Sequence, residues 1–333
     1  RWSEDIFLKN EVHPDGKNHG MIMYLDWSGS MGNILQDTVE QLLVLTEFCR
    51  KVNIPFEVYA FSSQMYCPVQ DRYSDEYQQW HDNNQKEQWD RKQDSDCTPH
   101  PFQLYNFLSS RMNKRQYADA LNNLWLLTGS VCYYGGHPSP NCLSLGCTPL
   151  HEAMVCALQQ IPAFQQQNQI QIVNAVFLTD GDGHSMVRNY YRYNDKNFIT
   201  DHKTKKNYEI TNRGEKNALL QMLKDRTGAT IIGIRLHDSR SINNYVRYRL
   251  RNTTEEQFKA MDTQFKKMKF VTVDTDGYDE MFLVQGNVKV QTDAMEGLDE
   301  DASFTKIKNA FMRGNNTKKA SRVIAGRIVD LIA

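Results

Sequence analysis

One six-residue run constrains this chain more than any other feature: Met21-Ile22-Met23-Tyr24-Leu25-Asp26. It is apolar at odd and even positions alike and ends in a carboxylate. Such a run reads as a strand buried on both faces. A strand covered twice needs helices above and below it. The residues that follow supply the first: Leu35, Val39, Leu42, Leu43 and Thr46 recur at helical spacing. Asn53-Ile54-Pro55 then stops that helix, because proline cannot continue one. Residues 56–61, Phe-Glu-Val-Tyr-Ala-Phe, read as a second strand. The alternation resumes at Thr148-Pro149, a favourable helix start, followed by Leu150, Ala153, Met154, Ala157 and Leu158. Residues 172–178 form another buried strand, closed by Thr179-Asp180-Gly181. A helix near 215–226 ended by Gly228, a strand Thr230–Leu236, a helix near 254–267 and a strand near 269–273 complete the series. Strands alternating with helices predict an α/β fold, doubly wound, with a mainly parallel central sheet.

Two stretches interrupt this pattern. Residues 64–145 are rich in Gln, Asp, Asn, Tyr and Trp, and read as an inserted subdomain decorating the core. Within it, 103–127 reads as helical, from Leu104, Phe107, Leu108, Met112, Leu121, Leu124 and Trp125. Tyr73, Tyr77, Trp80 and Trp89 suit either a recognition surface or a private mini-core. A second polar insertion spans about 184–214. The domain is expected to run over 1–285, followed by an acidic linker at 286–303 and a basic helical tail at 304–333. That tail reads as a helix packed on its own domain with a solvated basic face.

Chemistry concentrates at strand ends. In an open parallel α/β sheet, ligands sit beyond the carboxyl ends of the strands, where strand order reverses. Asp26 ends the first strand and Asp180 follows a later one. If those strands are neighbours, two carboxylates face one crevice. Ser28 and Ser30 follow Asp26 at alternate positions of the loop, so all three side chains can aim oxygen at one point. Thr148 adds a third hydroxyl from another helix start. Five oxygen donors without sulfur or imidazole suit a hard cation, Mg²⁺ above all, or Mn²⁺ or Ca²⁺. Two carboxylates and three neutral hydroxyls leave a coordination position open, and a partner's carboxylate is its natural occupant. Each piece alone is an ordinary cap or turn. Their order along the chain is what makes the combination specific.

Asp26-Trp27-Ser28-Gly29-Ser30-Met31, Gly146-Cys147-Thr148-Pro149-Leu150 and Thr179-Asp180-Gly181 resemble the metal-ion-dependent adhesion site of von Willebrand factor A domains. The resemblance covers about 20–62, 146–183 and 228–275. It implies a Rossmann-like fold in which the serines and threonine approach the metal and the aspartates bind directly or through water. Met31 and Thr148-Pro149-Leu150 look more like the intracellular branch, which includes the accessory subunit of cobaltochelatase. That branch implies a MoxR-type AAA+ ATPase as the partner offering an acidic residue. Residues 15–20 and the basic tail look similar to tailed-phage proteins of cobaltochelatase-like type. The resemblance implies a non-catalytic adaptor or accessory subunit, in the host cytoplasm, or in the virion if phage-encoded. The alternatives are a phage or assembly component using the fold as a scaffold, and a metal-assisted hydrolase.

Weaker signals surround this core reading. Cys132, His137, Cys142 and Cys147 are spaced at four or five residues and offer an alternative zinc set. They lack the tight Cys-x₂₋₄-Cys knuckle, so free thiols are favoured, as for the other cysteines of a reduced cytosolic protein. Asp182, His151 and His184 are expected at the rim of the oxygen site, with Asp182 a supporting acceptor or a turn residue. Either histidine is a general base in the hydrolase alternative. No catalytic residue is assigned: the chain has no nucleophile elbow, no phosphate loop and no dinucleotide glycine motif. With 39 basic against 40 acidic residues there is no global field for nucleic acid or membrane. No apolar run is long enough to cross a membrane. Self-association is compatible with all of these features.

Overall fold

The computed structural model describes residues 18–63, 73–94, 99–131, 143–181, 183–186, 197–210, 214–237, 253–273 and 277–285, with single positions such as Cys97 between them. The first strand, β1 (His19–Asp26), is an interior strand of a seven-stranded sheet. β2 (Phe56–Ser62) lies parallel on one side of it, and β4 (Ile172–Thr179) lies parallel on the other. Outside β4 come β7 (Thr230–His237) and then β9 (Glu280–Gln285), both parallel. Two antiparallel strands close the edges, β3 (Gln103–Ser109) against β2 and β8 (Phe270–Val273) against β9. The order β3-β2-β1-β4-β7-β9-β8 places the reversal of strand order between β1 and β4. The chain is thus an α/β protein with a mainly parallel sheet.

Side-chain parity builds the two faces. Met21, Met23 and Leu25 join Val176, Leu178, Ile232 and Ile234 in one apolar cluster. Ile22 and Tyr24 point the other way, with Val173, Ala175, Phe177 and Ile231. α1 (Leu35–Lys51) covers the first face through Leu35, Val39, Leu42 and Phe48, and α3 (Lys114–Val131) packs beside it through Tyr117 and Leu124. α4 (Leu150–Asn168) and α5 (Lys216–Thr227) cover the second face through Ala153, Met154, Ala157, Leu219, Leu220 and Leu223. α6 (Glu255–Met268) adds Phe265 and is opened by a capping box on Thr254. Burying one such large side chain stabilises the fold by about 1.5–3 kcal/mol. The double covering explains why β1, β2 and β4 read as continuous apolar runs.

The expectation of one helix over 103–127 is corrected. Residues 103–109 are strand β3, and the helix begins at Lys114. Leu104, Phe107 and Leu108 fit either period, and what decides is pairing with β2, where Leu104 faces Phe61 and Leu108 faces Val58. Glu57 anchors that edge. Its carboxylate is buried and accepts hydrogen bonds from Ser109 Oγ at 2.8 Å, Asn106 Nδ2 at 2.7 Å and Arg111 Nε at 3.1 Å. Strand β9 and helix α2 (Asp75–Asp94) were not read from the sequence. The described side chains of α2, residues 75–87, include no buried one, so an amphipathic period was absent. Residues 197–210 hold a hairpin, β5 (Asn197–Thr200) with β6 (Asn207–Ile210), seated on α5 by Tyr208 and Asp225. Gly228 takes φ +64 and caps α5, as expected. The linker and tail expected at 286–333 lie outside the described residues.

Candidate metal site at the strand switch

Asp26 sits where β1 ends, fully buried. Its neighbour across the switch, β4, ends in Thr179, and Thr179 Oγ1 donates to Asp26 Oδ2 at 2.6 Å. The same hydroxyl accepts the Gly181 N–H at 3.1 Å, which ties the turn after β4 to the floor of the crevice. Thr179 was not singled out from sequence, yet it orients the central carboxylate. Its position as the last strand residue before Asp180 was the available signal.

Ser28 and Ser30 follow on the loop into a short 3₁₀ turn, Gly29–Asn33. Their hydroxyls lie 3.1 Å apart, and Ser30 Oγ donates to Asp180 Oδ1 at 2.9 Å. The Thr148 loop is held beside them by backbone pairing. Gly29 N donates to Gly146 O at 2.8 Å and Gly146 N to Trp27 O at 3.2 Å, an isolated parallel bridge. Trp27, wholly buried, fixes this junction through its indole N–H, which donates to Leu143 O at 2.8 Å. A side chain at Gly181 would approach Thr148 Oγ1 to 3.9 Å, so that hydroxyl faces the turn carrying Asp180. The structure therefore gathers Asp26, Ser28, Ser30, Thr148 and Asp180 at one strand-switch crevice. Asp26, Ser28 and Thr148 are buried, Asp180 is half-buried and Ser30 is exposed. The crevice has a closed floor and an open mouth.

Electrostatics at the floor are unfavourable for a bare carboxylate. Burial pushes the Asp26 carboxyl up from 3.8 to about 7; Thr179, Ser28 and Thr148 hydroxyls oppose the rise, and the Asp180 charge adds to it. Asp26 Oδ1 is buried without a hydrogen-bond partner among the described residues. Such an orphaned oxygen carries a desolvation cost unless something cationic or a proton meets it. The donor set therefore fits a hard divalent ion. Among the described residues no three His, Cys, Asp or Glu side chains form a metal cage, which follows from a site with two carboxylates and three hydroxyls.

The remaining candidates fall elsewhere. His151 was expected at the rim, and this is corrected: it is buried under Gly183, where a Cβ would come within 3.2 Å of its ring. The same Cβ would come within 3.0 Å of the Leu150 side chain, so the backbone at Gly183 closes over both residues. His184 is exposed, with its ring 5.5 Å from that of His100. Cys147 is exposed, and its N–H donates to Ser63 Oγ at 2.6 Å. Asp182, Cys132, His137 and Cys142 lie outside the described residues. Among the described residues Cys49, Cys147 and Cys156 are free thiols, and no helix is long and apolar enough to cross a membrane.

No protein-family model matches the chain, and no curated protein matches it. Solved structures do match at low similarity. A point mutant of the PilB minor pilin from Streptococcus sanguinis is 12% identical with a TM-score of 0.36, over 97% of this chain and 65% of that one. A von Willebrand factor type A protein from Catenulispora acidiphila is 13% identical with a TM-score of 0.27, over 67% of this chain and 34% of that one. The pilus adhesin SpaC from Lactobacillus rhamnosus GG is 14% identical with a TM-score of 0.38, over 90% of this chain and 31% of that one. The chain spans less than two thirds of the length of each.

Proposed function

We propose that the chain is a divalent-cation-dependent protein-binding module of the von Willebrand factor A type. The observation that carries this reading is Asp26: a buried carboxylate with one oxygen held by Thr179 and the other unpartnered among the described residues, beside the Ser28 and Thr148 hydroxyls and Asp180. Asp26, Ser28, Ser30, Thr148 and Asp180 would hold the ion, Mg²⁺ by preference. When bound, it supplies an electrophilic position that a carboxylate of another protein can fill. Thr179 keeps Asp26 turned toward the crevice, and the Ser28–Gly146 pairing keeps Thr148 in place. Exposure of Ser30 leaves the mouth accessible to a partner. The motif resemblance to the intracellular, cobaltochelatase-like branch supports an adaptor or accessory role beside an AAA+ ATPase.

The test is a pull-down from the native source with the full chain, in Mg²⁺ and in chelator, with Asp26→Ala alongside. The reading expects an ATPase of the AAA+ class retained in Mg²⁺ and lost in chelator and in the variant. Retention of partners regardless of metal overturns it and favours a scaffold. Turnover of an ester or phosphate substrate by the isolated chain overturns it in favour of metal-assisted hydrolysis.

A further inference from the structure

The protein presents a neutral surface at the β3 edge of its sheet, and the crevice reading makes no use of it. β3 is the outermost strand on that side, with β2 as its neighbour. Its sequence, Gln-Leu-Tyr-Asn-Phe-Leu-Ser, holds no charged residue and no proline. Edge strands are commonly kept from pairing with another chain by lysine, by proline or by being very short. The opposite edge follows that rule: β8 has four residues and is preceded by Lys266, Lys267 and Lys269. β3 has one protective device, a register shift that passes over Phe107 where Val58 gives way to Tyr59. Regular pairing is thereby confined to residues 103–106, with Pro101 just before them.

The helix at this edge repeats the pattern. α3 packs on β3 and on α1, so among the described residues it is the outermost helix of its face. A surface helix ordinarily turns charge toward solvent. α3 does so at its start, with Lys114, Arg115 and Asp119, and then no longer: residues 120–131 carry no charge. Within that stretch Trp125 is 36% exposed and Leu126 is 69% exposed. Ala118 and Asn122 are exposed on the same side of the helix, at spacings of i, i+4, i+7 and i+8 with Trp125 and Leu126. A Cβ added at Gly129 would meet nothing within 4 Å, so the helix is open there to an incoming surface. Single exposed apolar residues are ordinary; a neutral helix face at a neutral strand edge is not.

We propose that this edge is where a second copy of the chain docks, β3 beside β3 and α3 against α3. Charge selects that occupant. Two identical surfaces meet without penalty only where no like charges face each other. Residues 103–109 and 120–131 have none, and they offer a foreign partner no charge to read. A two-fold axis normal to the sheet makes the two β3 strands antiparallel and keeps both α3 helices on one face, so strand edge and helix face are used together. A stable interface buries on the order of 800 Å² per partner. Pairing over residues 103–106 alone falls short of that, and the α3 face supplies the remainder. The antiparallel arrangement sets the two crevices at opposite ends of the joined sheet. On the crevice reading, on which this consequence alone rests, the dimer bridges two partner molecules instead of gripping one twice.

Sedimentation equilibrium of the full chain, in Mg²⁺ and in chelator, tests this. A reversible dimer is expected in both, and Asp26→Ala is expected to leave it intact. Leu126→Glu and Gln103→Lys, which bring like charges to the contact, are each expected to raise the dimer dissociation constant tenfold or more. Leu126 is exposed, so its variant keeps the fold, read as a far-UV spectrum matching the wild type. If Gln103→Lys unfolds β3, Trp125→Gln is read in its place. Amide exchange in the wild type is expected to rise at 103–106 and 118–129 on dilution. A chain that is monomeric at every concentration overturns the proposal. So does a dimer indifferent to Leu126→Glu and Trp125→Gln, because its contact would then lie on another face. Capture of a different protein by this surface on a monomeric chain overturns it too, since the occupant would be foreign. A dimer retained by a chain that fails to bind Mg²⁺ supports the proposal and removes only the crevice reading.

Discussion

At the scale of single residues, Asp26 sets the behaviour of the crevice. Its carboxyl titrates near about 7 when folded, against an ordinary 3.8. The folded form thus binds the proton more tightly than the unfolded form. Its contribution to stability is complete below about pH 4 and is lost as pH rises through about 7. The shift corresponds to on the order of 4 kcal/mol as an upper bound, at about 1.4 kcal/mol per unit. Metal-free protein is therefore expected to lose stability in urea melts between about pH 4 and about pH 8. Asp26→Asn, which keeps the Thr179 hydrogen bond and carries no charge, is expected to flatten that loss and to be the more stable protein at the alkaline end. Saturating Mg²⁺ is expected to flatten it in the wild type as well, because the ion takes the place of the proton. Parallel pH profiles for the two proteins would count against the assignment of the raised carboxyl to Asp26.

At the scale of elements, the β2–β3 edge depends on one buried charge. Glu57 is 3% exposed and holds Ser109, Asn106 and Arg111 from the neighbouring strand and the turn after it. Arg111 is itself largely exposed, so the hydrogen bonds to Ser109 and Asn106 matter more than the ion pair. Glu57→Ala leaves those donors without their acceptor and is expected to cost about 2–4 kcal/mol, read as a lowered urea midpoint. Amide exchange is expected to rise first across 103–109 while β1 and β4 stay protected; uniform loss across the sheet would show that β3 is not a separable edge. This edge also marks what the sequence could carry. β1, β2, β4 and β7 were legible because a strand covered on both faces reads as an apolar run. β3 was not, because its residues have mixed burial and its strand state depends on β2. The same holds for Glu280–Gln285, where Met281, Phe282, Leu283 and Val284 are buried but the run is short. Asp26, Ser28, Ser30, Thr148 and Asp180 were legible as strand-end oxygens. Thr179 was signalled only by its place as the last strand residue before Asp180, and nothing in that place reports its hydrogen bond to Asp26.

At the scale of the whole molecule, the crevice joins segments far apart in the chain. Residues 26–30 come from the end of β1 and the loop after it, Thr148 from the loop just before α4, and Thr179 and Asp180 from the end of β4 and the turn after it. Their present links are the Asp26–Thr179 and Ser30–Asp180 hydrogen bonds and the Gly29–Gly146 pairing. An ion held by all three segments binds only the folded chain, so it stabilises globally by mass action. At about one hundred times its dissociation constant the gain is about 2.7 kcal/mol. For a chain of this size that is a rise of several degrees in Tm. Mg²⁺ is therefore expected to raise Tm in a concentration-dependent way, beyond NaCl of equal ionic strength, and to leave the urea m-value unchanged. Asp26→Ala is expected to abolish the rise. Ser30→Ala, at the exposed mouth, is expected to reduce it while costing little metal-free stability, since the Ser30–Asp180 hydrogen bond lost there is exposed and water can replace it. Amide protection is expected to increase together over 27–31, 146–148 and 179–181. A Tm indifferent to Mg²⁺ in the wild type would mean that the crevice is an arrangement of caps and turns, each satisfied without a cation, and the Asp26 oxygen would then be met by a proton alone.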